Sequence, residues 1–118
     1  MAGPKLDGAG QAKMVTLDDA VKIHSRIHAL VEMYGLSVKN TKPETVILNN
    51  VKRQMPSLAS KLKGQFGMIS DLVLATNMAM SRGQNEIIRV RSMREGMANV
   101  KVALEIAITQ TINKHAVD

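Results

Sequence analysis

The chain has 118 residues, 45% of them apolar, a formal net charge of +6 and no cysteine. That is one domain by size, with disulfides and thiolate chemistry excluded. No run approaches the ~20 apolar residues of a membrane span, and the first residues lack the apolar core of a signal peptide, so no membrane association and a cytoplasmic location are expected. One Phe, one Tyr and no Trp require an aliphatic core. The nine Met residues are expected to fill much of it, since Met adapts to irregular gaps.

Residues 1–15 hold glycines and a proline with few apolar anchors and read as a flexible N-terminal arm. Residues 16–118 read as the bundle domain. Thr16 stands where an N-cap is expected, with Asp18 and Asp19 in the first turn of a helix. Ala20, Ile23, Ile27, Leu30, Val31 and Tyr34 form its apolar stripe, and Gly35 is placed to end it. Pro43 suits the first position of the next helix.

A second stripe runs from Ile47 through Val51, Met55, Leu58, Leu62, Phe66 and Ile69 to Val73. It passes through Pro56. Proline deletes one helix bond and clashes with the preceding turn, so a break near Gln54-Met55 is expected, with Pro56 opening a new helix. Gly64 and Gly67 on that helix point to a close neighbouring backbone. The stretch 81–85, Ser-Arg-Gly-Gln-Asn, is the clearest turn. In the last helix Val90, Met93, Met97, Val100, Leu104, Ala107 and Thr111 recur at steps of three and four, a helix seam. Val102, Ala103, Ile106 and Ile108 lie off that line, leaving this half apolar on nearly every side. Such a helix needs several neighbours to bury it.

The expected architecture is therefore all-α: an antiparallel four-helix bundle, oligomeric, with a flexible N-terminal arm. Its helices fall at about 17–35, 43–55, 56–81 and 85–114, and short connections place neighbours antiparallel.

Catalytic constellations are sparse. His24, His28 and Glu32 share one helix face at four-residue steps, a spacing that metal sites use. No carboxylate stands three residues before any histidine, as a di-iron bundle would require. No nucleophile set and no phosphate loop can be assigned. Asp71 and Glu105, set among apolar residues, read as solvent-facing or helix-pairing acids. The expectation is a non-enzymatic protein with no cofactor and no metal.

The basic residues carry the functional reading. Lys52 and Arg53 precede Pro56, Lys61 and Lys63 follow it, Arg82 lies at the turn, and Arg89, Arg91, Arg94 and Lys101 line the last helix. In an antiparallel hairpin about Gly83, Arg82 and the three arginines of the last helix share one end, while the four cations around Pro56 form a second zone. Guanidinium groups suit phosphate. Two aromatic side chains, both expected to be buried, cannot form a base-stacking platform. Binding should then be phosphate-directed and salt-dependent, with little sequence preference.

The segment Met55-Pro56-Ser57-Leu58-Ala59-Ser60-Lys61-Leu62-Lys63-Gly64-Gln65-Phe66 resembles one in a family of small four-helix bundles. These are the accessory variability determinant proteins of diversity-generating retroelements and the related ribosomal-RNA intervening-sequence proteins. The apolar-Pro pair and the following Gly64 carry the likeness. The stretch from Glu86-Ile87-Ile88-Arg89 to Gly96, ending in Ala103-Leu104-Glu105, is also similar, and the whole spans residues 54–108. The resemblance implies a basic, ring-forming homopentamer that binds a reverse transcriptase and its template RNA and supports mutagenic cDNA synthesis. Only Lys52, Arg53, Lys61, Lys63, Arg89, Arg91 and Arg94 carry over.

Two functional expectations follow. One is a non-enzymatic accessory protein that binds nucleic acid, RNA favoured, or an acidic protein partner, and supports a reverse transcriptase. The alternative is a structural homo-oligomer or protein-protein adaptor without nucleic acid.

Overall fold

A computed structural model describes residues 5–82 and 85–117. They form four helices: α1 (Gly8–Lys39), α2 (Thr45–Lys63), α3 (Gly67–Ser81) and α4 (Glu86–His115). Each packs on its neighbours in sequence, and α4 closes the ring against α1. The protein is an all-α four-helix bundle of extents 56 × 28 × 18 Å. Cross-helix contacts fix its antiparallel sense: Asp7 and Glu32 of the first arm meet His115 and Arg94 of the last.

The apolar stripes are the core. Val90, Met93, Met97, Val100, Leu104, Ala107 and Thr111 are the buried residues of α4, so the expected seam and the observed one coincide. Ala20, Ile27, Val31 and Tyr34 of α1 are buried, with Ile23 and Leu30 packed partly against them. Methionine divides: Met55, Met80, Met93 and Met97 are interior, whereas Met33, Met68 and Met78 are exposed. Tyr34 is buried as expected, but Phe66 is only half-buried.

Three boundaries differ from the sequence reading. The first is the arm. α1 starts at Gly8, not near Thr16, because Asp7 is its N-cap and accepts the Gly10 N–H at 2.7 Å. The end of α4 clamps this start. The Asp7 N–H donates to the His115 carbonyl at 3.0 Å, and the Val117 N–H donates to the Lys5 carbonyl at 2.8 Å. Residues 8–15 are thus helical, and the rest of the expected arm, residues 1–4, lies outside the described residues.

The second concerns Gly35, which does not end α1. It is buried mid-helix, where a Cβ would stand 2.9 Å from Arg94 Nη2 and 3.2 Å from Val90 Cγ1. The helix continues to Lys39, and the chain leaves through Thr41 at φ 58°. Pro43 precedes α2 and its N-cap Glu44 and is not the first helical residue.

The third is Pro56, which lies inside α2 and starts no helix. Its cost in a helix interior is ~3 kcal/mol. Val51, Met55, Leu58 and Leu62 are all fully buried on the opposite face, and burying such a side chain contributes about 1.5–3 kcal/mol. One uninterrupted helix is what keeps all four in phase. The chain breaks at residues 64–66 instead, and nothing lies within 4 Å of a Cβ built on Gly64 or Gly67. Those glycines mark the turn, not a close approach. The close approach is at Gly96, where a Cβ would collide with the Thr76 side chain across the α3–α4 contact.

The expected turn at 81–85 separates α3 from α4; its Gly83 and Gln84 lie outside the described residues. Among the described residues no helix is long and apolar enough to cross a membrane.

Candidate nucleic-acid interface

Helix α2 has an unusual charge pattern for its length. Between Thr45 and Lys63 it carries Lys52, Arg53, Lys61 and Lys63 and no acid, while α3, from Gly67 to Ser81, carries one acid and no base. Cations are therefore concentrated on one hairpin arm. At ~1.5 Å per residue, Lys52 and Lys63 stand ~16 Å apart, about five phosphate steps of one strand at ~3.4 Å each.

The nine basic residues singled out from the sequence divide by what they touch. Three are engaged within the chain. Lys61 Nζ pairs with Asp19 Oδ2 of α1 at 3.2 Å. Arg94 Nε and Nη2 both donate to Glu32 Oε2, at 3.2 and 2.7 Å. Arg89 is drawn inward: its Nε donates to the Met80 carbonyl at 2.9 Å, and it lies 3.8 Å from Glu86. Met80 is in the last turn of α3, where carbonyls lack intrahelical donors, so Arg89 caps a helix end. The other six, Lys52, Arg53, Lys63, Arg82, Arg91 and Lys101, make no side-chain hydrogen bond or ion pair with any described residue. All of these but the half-buried Lys52 are exposed.

The two expected zones are thus unequal. Around α2, three of four cations remain available. At the α3–α4 end, Arg82 and Arg91 are available while Arg89 and Arg94 are held internally.

Two basic residues of α1 that the sequence reading passed over lie near the Lys61–Asp19 pair. The Lys61–Asp19 pair sets the height of α2 against α1. Counting seven residues along each antiparallel helix from that pair brings Arg26 level with Gln54, beside Arg53. Lys22 and Arg26 are three and seven residues after Asp19 and so neighbour the flank of α2 that carries Lys61, whereas Lys52 and Lys63, nine residues before and two after Lys61, fall on the opposite flank. Both are exposed. The i, i+3, i+7 spacing was the available signal; its relation to Lys61 appears only once α1 and α2 are paired.

The histidine row does not assemble into a ligand set. His24 is buried, and its Nε2–H donates to the Met97 carbonyl at 2.8 Å. That bond crosses from α1 to α4 and removes the nitrogen from any shared site. Burial pushes the His24 pKa below the ordinary histidine value, against the opposing pull of the Met97 carbonyl. His28 stacks on it at 6.4 Å between ring centroids and reaches Glu32 at 3.7 Å. Asp71 and Glu105 are both exposed.

Compared with known proteins, the chain matches no family model, no curated protein and no solved structure.

Proposed function

We propose that this protein is a non-enzymatic accessory subunit that binds the phosphate backbone of nucleic acid along α2. The observation that carries the reading is the acid-free helix α2, whose Lys52, Arg53 and Lys63 have no side-chain partner among the described residues. A phosphodiester strand is the extended anion that such a row fits. RNA as the strand, and a reverse transcriptase of a diversity-generating retroelement as the assisted enzyme, rest on the family resemblance of residues 54–108.

Fluorescence anisotropy with a mixed-sequence RNA at low salt tests the reading. Lys52→Gln/Arg53→Gln/Lys63→Gln should weaken binding by about tenfold or more, since hydrogen bonds to charged groups contribute roughly 1.5–3 kcal/mol each. Arg94→Gln should have little effect, because that charge is matched by Glu32. Equal losses in both variants, or no binding by the parent, would contradict it.

The adaptor reading has its own support. Met68 and Ile106, 88% and 52% exposed, line one groove between α3 and α4, and Val102, 54% exposed, is one turn from Ile106. Grouped apolar exposure marks association surfaces. A homo-oligomer formed there would repeat the α2 row, and linked weak sites gain avidity. Light scattering distinguishes this second reading, which a monomer at micromolar concentration contradicts.

A further inference from the structure

Helices α1 and α4 are longer than α2 and α3. Where the chain turns at residues 64–66, they run on beyond it. The step leaves a groove of about 640 Å³ that opens to solvent, within the size range of small-molecule sites. Leu72 and Ile69 of α3 form one wall, and Ala103, Ile106 and Ala107 of α4 form the other. Met68 stands at the mouth, 88% exposed.

The polar part of the lining has one sign. Lys13, Lys114 and His115 contribute to it, and no Asp or Glu among the described residues does. His115 is held between two partners. Its Nδ1–H donates to Asp7 Oδ1 at 3.0 Å, and its Nε2 accepts from Lys13 Nζ at 3.1 Å. Asp7 bonds the His115 nitrogen remote from Lys13, is not among the groove-lining residues, and is held below its ordinary pKa first by the Gly10 N–H and the His115 hydrogen bond, with a smaller pull from the Lys13 charge. The first turn of α3 borders the same groove, and no side chain caps it. Its free N–H groups add positive potential.

We propose that this groove binds a small anionic amphiphile, with a carboxylate head at Lys13 and Lys114 and an unbranched apolar tail across Ala103 and Ile106. The pairing follows from charge complementarity: an apolar trough with an acid-free, cationic end disfavours a cationic or neutral-headed amphiphile of the same tail. This site is separate from the α2 row and does not depend on nucleic-acid binding.

Full-length protein labelled with ¹³C at the methionine methyls tests it, titrated with decanoate and with decyltrimethylammonium below their micelle concentrations. Decanoate should shift the Met68 methyl and leave that of Met33, exposed on α1, in place. The cationic amphiphile should bind about tenfold more weakly or worse. Lys13→Gln/Lys114→Gln should erase that preference; Gln at 13 can still donate to His115, so the helix ends stay clamped. Ile106→Ser, at a half-exposed position, should weaken decanoate while the fold persists. An unmoved Met68 signal, equal binding of the two amphiphiles, or a preference that survives in the double variant would overturn the proposal.

Discussion

His24 is a histidine held neutral by its surroundings. Desolvation lowers its pKa in the folded protein, so the unfolded chain binds the proton more readily. Stability from this residue is complete above the ordinary histidine range and is lost as pH falls from there through the lower folded-state pKa. Thermal unfolding at about pH 7.5 and about pH 5.5 should show a drop for the parent that shrinks in His24→Leu. An unchanged pH difference would show that the proton is taken up elsewhere. Gly96 makes a steric prediction at the same scale. Gly96→Ala drives a methyl into Thr76 and should destabilise by about 1–3 kcal/mol, read from denaturant midpoints. The paired change with Thr76→Ser, which removes the obstructing methyl, should recover part of that loss, and no recovery would place the strain elsewhere. Such contacts were illegible in the chain. Gly96 and Gly35 carry no local sign of the side chains lying across them, whereas Gly64 and Gly67 advertised themselves and proved to mark only a turn. What a glycine accommodates is decided by the neighbouring helix.

Among the elements, α4 was the most legible, because its seam and its cap are both local. Asn85 accepts the Ile88 N–H at 2.9 Å, and the three-four spacing alone selects the buried face. α2 was misread because a local rule met a tertiary one. Pro56 argued for a break, but its ring lies on the exposed face while Met55 and Leu58 on either side are fully buried. The in-phase stripe was the stronger signal. Pro56→Ala should therefore stabilise α2, by ~1–3 kcal/mol of the proline cost, with an increase in melting temperature. A decrease would mean that Pro56 contributes to how α2 fits the bundle. The start of α1 was misread for a related reason. Gly8 and Gly10 look flexible in isolation, yet the Asp7 cap and the clamp from His115 order them through a contact more than a hundred residues away.

At the scale of the whole molecule, the two helices of the central hairpin differ most in charge. α2 carries four bases and no acid; α3 carries none and leaves Met68 and Met78 open to solvent. The sequence showed where the cations lie in the chain but not which of them are available. Arg89 and Arg94 resembled surface charges until pairing of the helices brought Met80 and Glu32 to them. The central claim is that the unpaired α2 row grips a phosphate chain, and its most direct test is the salt dependence of RNA affinity. With each of the three α2 cations on one phosphate of a single strand, log K against log salt should fall with a slope of about −2. In Lys52→Gln/Arg53→Gln/Lys63→Gln the slope should flatten toward zero. A parent slope near zero, or a slope unchanged by the triple substitution, would contradict the account.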